Sequence, residues 1–298
     1  MKLKVGLYKT VTVKDEEKAE LEALYKHPDV SEVIILEPGK MHIEIETDNV
    51  RFYFDDKLLN KDLVDIVISR SGFSSVPTAK ELIKYCRRNG IKVFDNNLTK
   101  VNYLINKRAD MIKLASAGLP VPKTFLFLRM SQLEEYLNRG VLGFPLIMKQ
   151  TNTGQGSRVF KVNSLEDIQN ILIQYEKKIS AFLLQEVVDY QYDLRIIIAG
   201  DEYIGCMRRI PREGDFRANF SLGGSVEKFD PSEEIKQAAI KAAQACELLV
   251  SGVDILVTKY GKFYVIEANR TPGLEGISKA AGKEIAERVI DFMIKNAD

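Results

Sequence analysis

Along the first hundred positions, short apolar runs alternate with polar stretches of helical spacing. Lys2–Tyr8, Val33–Leu36, Asp65–Ser69 and Ile91–Phe94 read as strands, and Pro77–Asn89 as a helix stopped by Gly90. Strands alternating with helices predict a parallel sheet with helices on its faces. The segment Met41–Asp56 breaks the rhythm. Its strict alternation, Ile43-Glu44-Ile45-Glu46 and Arg51-Phe52-Tyr53-Phe54, predicts a small inserted hairpin.

Beyond residue 100 the pattern changes. Asn102–Ala117 reads as a helix, with Gly118 at its C-terminal end and Pro120 and Pro122 just beyond, which marks a domain junction. Ser131-Gln132-Leu133-Glu134 and Ser164-Leu165-Glu166-Asp167 read as capping boxes. Asp230-Pro231-Ser232-Glu233 reads as a third helix start, with Pro231 set for the first turn. Strands are expected around Leu146–Lys149, Val159–Val162, Phe182–Val187, Leu194–Ala199, Tyr203–Arg209, Val250–Val257 and Phe263–Ala268, and a last helix from about Lys283. Strand clusters backed by helices, with antiparallel spacing, indicate α+β lobes. The expected units are residues 1–99, an α/β domain, and two α+β lobes over 100–187 and 188–298.

Composition removes several function classes. The 298 residues carry 43 basic and 42 acidic side chains, a formal net charge of +1. That balance offers no electrostatic footprint for nucleic acid or an anionic membrane. No apolar run approaches the roughly 20 residues of a membrane span. The apolar part of the N-terminus is too short for a signal peptide. Cys86, Cys206 and Cys246 are widely spaced and odd in number, so the expected compartment is a reducing cytoplasm. His27 and His42 lie far from the chemistry-bearing segments, which argues against a histidine-based mechanism.

Three features carry candidate chemistry. Asp254, Glu267 and Asn269 sit in or beside apolar, β-prone runs, and Glu267 and Asn269 share one strand face. Carboxylate and amide oxygens there are costly unless something pairs them, and hard oxygen ligands suit Mg²⁺ carrying a nucleotide's phosphates. Lys149 ends a strand, and the small polar loop Thr151-Asn152-Thr153-Gly154-Gln155-Gly156-Ser157 follows it. Gly154 and Gly156 let a backbone approach phosphate oxygens and let a loop move as a lid, although an ordinary hairpin turn has the same look. Together these features suggest an ATP-using enzyme. Arg208, Arg209, Arg212 and Arg217 form a basic set in a span otherwise balanced in charge. A guanidinium fork suits phosphate or carboxylate, and strand alternation lets only one of Arg208 and Arg209 enter a site.

In order, Asn106-Lys107-Arg108-Ala109-Asp110, Pro145–Lys149, Gln185-Glu186-Val187-Val188, Asp193-Leu194-Arg195, Arg217-Ala218-Asn219, Gly252-Val253-Asp254 and Glu267-Ala268-Asn269-Arg270-Thr271-Pro272-Gly273-Leu274-Glu275-Gly276 resemble the ATP-grasp superfamily, and within it the RimK-type carboxylate–amine ligases. The resemblance implies an ATP-grasp fold: a Rossmann-like N-terminal domain and two α+β lobes enclosing the nucleotide. It implies that Lys107, Lys149, Gly154, Gln155 and Gly156 hold ATP phosphates. Gln185, Glu186 and Val187 would read adenine, and Asp193 the ribose. Arg217 and Asn219 would face the phosphates and the acyl intermediate, and Asp254, Glu267 and Asn269 would bind Mg²⁺ or Mn²⁺. Arg70, at the end of an N-domain strand, is a candidate substrate clamp, as is one of Arg208 and Arg209.

The implied reaction is ATP-dependent phosphorylation of a carboxylate, followed by attack of an amine. An amide forms, and ADP and phosphate are released. Glutamate is the family's commonest amino acid. The acceptor could be a small molecule, a coenzyme or a protein C-terminus, and similar ligases are commonly homo-oligomers. Two alternatives remain open at this point: a kinase that stops after phosphoryl transfer, and a nucleotide-binding regulator without turnover.

Overall fold

A computed structural model describes residues 2–8, 18–70, 76–101, 105–153, 158–210 and 225–298. The chain opens with β1 (Leu3–Tyr8), α1 (Lys18–Lys26) and β2 (Val30–Leu36). A hairpin of β3 (Met41–Glu46) and β4 (Asn49–Phe54) with the short β5 (Lys57–Leu58) follows, then β6 (Ile66–Ser69), α2 (Val76–Arg88) and β7 (Lys92–Phe94). The first sheet has order β2-β1-β6-β7 and is parallel throughout. Its central strands are covered on both faces, so Val5, Leu7, Ile66, Val67 and Ile68 are all buried. The inserted hairpin forms a separate sheet, β3-β4-β5. α1 has no counterpart in the sequence expectations, because its nine residues bury mainly small side chains, Ala19 and Ala23 beside Leu24.

The middle of the chain folds as α3 (Lys107–Ser116), β8 (Thr124–Phe125), α4 (Met130–Asn138), β9 (Leu146–Gln150), β10 (Val159–Val162), α5 (Leu165–Gln174) and β11 (Phe182–Glu186). The strands make an antiparallel sheet in the order β10-β9-β11-β8. α3 starts five residues later than the pattern suggests, capped by Asn106, whose side chain accepts from the Ala109 amide at 3.2 Å. It ends at a left-handed Gly118, φ +73°, as expected. Ser164 caps α5, its hydroxyl accepting from the Asp167 amide at 3.1 Å, but Asp167 reaches back to the Asn163 amide at 2.7 Å rather than to that of Ser164, so only half of the expected box forms. The one read at Ser131 is displaced: α4 begins at Met130, and Gln132 accepts from the Leu128 and Arg129 amides at 3.0 and 3.1 Å. A glutamine three residues after Arg129 serves the helix end better than a hydroxyl already inside the first turn.

The last part comprises β12 (Tyr192–Ala199), β13 (Glu202–Ile210), β14 (Ser225–Lys228), α6 (Glu233–Ala245), β15 (Val250–Val257), β16 (Phe263–Asn269), α7 (Glu275–Ala281) and α8 (Glu284–Lys295). Ser232 caps α6, so Pro231 lies just before the helix rather than in its first turn. The five strands form an antiparallel sheet, β14-β13-β12-β15-β16. α3 and α6 cover one face through Leu194, Ile196, Ile198, Val253 and Ile255. The other face divides along its length. At one end Ile197, Ala199, Met207 and Val250 join a core with α7, α8 and the first sheet. At the other end the same alternation delivers charged residues. Among the described residues, no helix is long and apolar enough to cross a membrane.

Candidate active site

A cavity of about 190 Å³ lies between the middle sheet and the charged end of the five-stranded sheet. Period-two alternation explains its walls. On β9 and β10, Leu146, Met148 and Val162 point into a core with α4 and α5. Ile147, Lys149, Val159 and Lys161 point the other way and line the cavity. Opposite them stand Asp193, Arg209, Asp254, Leu256, Ile266 and Glu267. The slot is therefore apolar along its sides, charged at one end, and edged by Gln185, Glu186, Val187 and Val188.

The charged end is one connected network. Arg195 faces Asp254 directly across β12 and β15 and holds both carboxylate oxygens, at 2.7 and 2.8 Å. Arg209 sits opposite Asp193 across β12 and β13, bonds it through Nε at 2.9 Å, and reaches Asp254 Oδ2 at 3.2 Å. Burial pushes the Asp254 carboxyl up, but Arg195 and Arg209 outweigh that and hold it down at about 2. Burial raises the neighbouring Asp193, with Arg209 opposing and Asp254 adding to the rise. Asp254 also faces Glu267 across β15 and β16. A bulge follows, since Asp254 pairs with Glu267 but Ile255 with Val265. Ile266 is the extra residue, so two consecutive side chains, Ile266 and Glu267, both line the cavity. Asn269 shares the Glu267 face and donates to Glu267 Oε1 at 3.1 Å and to the Gly252 carbonyl at 3.2 Å. Gly252 has no room for a side chain, because a Cβ there would stand 2.7 Å from Pro272.

On the opposite wall, burial lowers the Lys149 pKa, Glu267 supports its charge, and Lys107 opposes it. Lys107 begins α3, where its amide donates to the Thr151 carbonyl at 3.0 Å and its ammonium bonds the Thr153 carbonyl. Both contacts tie α3 to the segment entering the glycine loop. Gln185 is buried and donates to Thr124 Oγ1 at 2.9 Å. Glu186 accepts from the Lys123 amide at 2.9 Å.

The family model described as a RimK-like ATP-grasp domain matches residues 105–293. This chain belongs to the RimK-like ATP-grasp family. It is 28% identical over 274 residues, 89% of this chain and 91% of the relative, to a probable alpha-L-glutamate ligase of Haemophilus influenzae (strain PittEE). It is 32% identical over 243 residues, 76% of this chain and 82% of the relative, to the coenzyme gamma-F420-2:alpha-L-glutamate ligase of Methanocaldococcus jannaschii (strain ATCC 43067 / DSM 2661 / JAL-1 / JCM 10045 / NBRC 100440). Among solved structures it resembles the ATP-grasp ligase PsnB complexed with minimal precursor, Mg and ADP, with a TM-score of 0.68 and 18% identity over 98% of this chain and 97% of that one.

In this RimK-like ATP-grasp protein the structure gathers Lys107, Lys149, Gln185, Glu186, Val187, Asp193, Arg209, Asp254 and Glu267 around one cavity, with Asn269 bonded to Glu267. Arg208 faces away. It lies over the Tyr192 ring, 4.9 Å from its centroid, and pairs with Glu227. Arg70 is also engaged elsewhere: its guanidinium meets Glu20 at 2.8 Å and donates to the Pro272 carbonyl at 2.6 Å, joining the first sheet to the segment after β16. Arg158 lies over Tyr175 and donates to Gln150 at 2.8 Å. Gly154, Gln155, Gly156, Arg212, Arg217 and Asn219 lie outside the described residues.

Two contributors escape the sequence reading. Arg195 lies in the segment Asp193-Leu194-Arg195, for which the resemblance implies a role for Asp193 alone. The signal was an arginine inside the apolar run Leu194–Ile198, which demands a buried carboxylate. Asn96 is the other. Its side chain accepts from the Leu249 and Val250 amides at 2.7 and 2.8 Å and donates to the Val250 and Arg270 carbonyls, both at 2.7 Å. It fixes both acid-bearing strands to the first sheet, and no local pattern announces it.

Proposed function

We propose that this chain uses ATP to join a carboxylate to the amine of an amino acid, glutamate, with release of ADP and phosphate. One observation carries the reading. Lys149, half-buried on the middle sheet, faces the opposed carboxylates Asp254 and Glu267 across a slot with apolar sides. Such a slot suits a planar base along its length and phosphates at its charged end. Glutamate and the coenzyme acceptor come from the names of the relatives.

Roles are assigned by position for the described residues and by the family resemblance for the others. Ile147, Val159, Leu256 and Ile266 flank the adenine, and Gln185, Glu186 and Val187 read its edge. Asp193 takes the ribose, and Lys107 and Lys149 take the phosphates, with Gly154, Gln155 and Gly156 as their lid. Asp254, Glu267 and Asn269 hold Mg²⁺ or Mn²⁺. Among the described residues no three His, Cys, Asp or Glu side chains converge as a metal cage. Two carboxylates and an amide oxygen still fit, because Mg²⁺ keeps waters and takes one or two carboxylates with substrate phosphates. Bound there, the cation would supply charge neutralisation for the phosphates.

The chain's own residues position and shield. Lys149, poorly hydrated where it sits, gains most from a phosphate oxyanion. Arg195 and Arg209 keep Asp254 ionised and aimed. Arg217 and Asn219 are assigned to the transferring phosphoryl group, and the basic set expected for carboxylate recognition was Arg70, Arg208 and Arg209, of which Arg70 and Arg208 are paired away from the cavity. Of these, Arg209 is placed at the nucleotide end. The carboxylate takes the terminal phosphoryl group and ADP leaves. The amine then attacks the activated carbonyl, phosphate departs, and the amine loses a proton. We take 1–99, 100–187 and 188–298 as the functional units, and a cytoplasmic homo-oligomer in reversible equilibrium with its subunits as the working form.

The test is ADP release from ATP, glutamate and a panel of carboxylates, small-molecule, coenzyme and peptide, with the product weighed by mass spectrometry. An amide mass dependent on both substrates is expected. AMP and pyrophosphate as main products would overturn the mechanism, and a stable phosphorylated product without amine dependence would reassign the chain as a kinase.

A further inference from the structure

The inserted hairpin plays no part in the cleft, and one of its edges is open. β3 ends the sheet β3-β4-β5 and pairs only with β4 among the described residues. Its even-numbered residues direct their main chain toward β4. The Asp55 amide donates to the Lys40 carbonyl at 3.1 Å, and Glu46 faces Asn49 across a two-residue turn. Antiparallel geometry then turns the main-chain groups of Met41, Ile43 and Ile45 outward. The Met41 amide is used by the Pro38 carbonyl.

Open edges of this kind are normally blunted by lysine, proline or a bulge. β3 has charges on one face only, Glu44 and Glu46, and on the other carries Ile43, 38% exposed, and Ile45, 77% exposed, beside Val50 at 47%. On the same face Phe52 and Phe54 are buried, and Phe52 packs on Tyr85 of α2 with ring centroids 4.8 Å apart. The inner half of this apolar face is covered and the outer half is not. The opposite face is polar: Glu44 accepts from Tyr53 at 2.9 Å, and His42 stacks on Tyr53.

We propose that this edge binds a second copy of the chain, β3 against β3, antiparallel about a two-fold axis at Ile43. Charge selects the occupant and the register. Facing residues in an antiparallel pair share a sheet face, and the outward groups belong to odd-numbered residues. An axis at Ile43 places Ile43 on Ile43, Met41 on Ile45, His42 on Glu44 and Lys40 on Glu46. Glu46 then meets Lys40 and Glu44 meets His42, in addition to the contacts both carboxylates make with Arg51 of β4. An axis at Glu44 sets Glu44 against itself, and one at Ile45 sets Glu44 against Glu46. An axis at His42 sets histidine on histidine and leaves Glu46 without a cation. The contact is isologous. Its main-chain bonds are reciprocal at Ile43 and run from each Ile45 amide to the other copy's Met41 carbonyl. A single short edge buries little area, so the dimer is weak and reversible, with a Kd of roughly 10 µM to 1 mM.

Sedimentation velocity of the full chain across that range tests the idea, with ATP turnover of each variant as the check on folding. The wild type should show a monomer–dimer equilibrium. Ile43→Pro removes an outward amide without touching the β3–β4 bonds and should raise Kd at least about tenfold. Lys40→Glu should weaken the dimer, and Lys40→Glu with Glu46→Lys should restore it, which decides the matter even if the proline variant misfolds. Under mild oxidation Ile43→Cys should link two copies and Glu44→Cys should not, the native cysteines being buried. A monomer throughout, or a dimer indifferent to both the proline and the charge exchange, would overturn the proposal. So would an Ile43→Pro variant with unchanged mass but lost peptide-dependent ADP release, which would assign the edge to an extended peptide.

Discussion

The two walls of the cleft solve different problems. The middle sheet presents Ile147, Lys149, Val159 and Lys161, two apolar side chains and two cations. The five-stranded sheet presents Asp193, Arg195, Arg209 and Asp254 already bonded to one another. One wall awaits an anion, and the other holds its charges in a fixed array. A charge on the first wall is thus free to serve the ligand at some cost to the fold. A charge on the second serves the fold and the ligand together.

The comparison breaks most sharply at Asp254. Asp254→Asn should reduce turnover at least about a thousandfold, near 4 kcal/mol, and also lower stability by about 3 kcal/mol, because Arg195 and Arg209 lose a buried partner. Glu267→Gln should match the loss of turnover with a smaller loss of stability. Steady-state ADP release and denaturant melts of both variants decide this, and near-normal activity in either would remove the metal assignment. Next comes Lys149→Met. Turnover should fall about a hundredfold, roughly 2.7 kcal/mol, while the melting temperature holds or rises, since a cation that burial disfavours has gone. Parallel losses of activity and stability there would erase the distinction between the walls.

A finer test lies within the second wall. Arg209→Lys keeps the charge but not the fork. It should raise the KM for ATP about tenfold, near 1.4 kcal/mol. Arg208→Lys, on the other face, should change it less than about threefold. If instead Arg208→Lys raises the KM for the carboxylate, that arginine returns to the acceptor site. The smallest effect concerns the thiols. Burial pushes Cys86 and Cys246 up to about 12 and raises Cys206 as well. Native protein at pH 8 should therefore leave all three unlabelled by a thiol reagent over minutes, and denaturant should expose them.

Much of this was legible because it is local or periodic. Glu267 and Asn269 show their shared face by spacing, the hairpin by strict alternation, and α5 by Ser164. What stayed hidden is set by distant partners. The bulge that turns both Ile266 and Glu267 inward depends on register with β15. Arg195 gains meaning only opposite Asp254, and Asn96 only beside Leu249, Val250 and Arg270. Arg70 reads locally as a strand-end cation near a ligand site, yet its partners are Glu20 and a carbonyl about 200 positions away. Alternation could say that Arg208 and Arg209 point oppositely, but not which one meets Asp193.

The late arrival of α7 and α8 at the first sheet bears on how the chain is made. The α1 amide at Ala19 is bonded by Glu275, 256 positions further on, and the edge of β7 at Val93 is bonded by the main chain of Asp298. Ribosomes add about 5–20 residues per second, so α1 emerges roughly 13–50 s before the helices that cover it. During that interval Ala23, Leu24 and the flank of β1 have no apolar lid. Nascent chains stalled before Glu275 should therefore be cut by protease near α1, and chains extended through Asp298 should resist. Equal resistance at both lengths would mean that the first sheet closes on its own. If the cut is seen, translation speed beyond residue 100 sets how long this sheet stays open to misassembly.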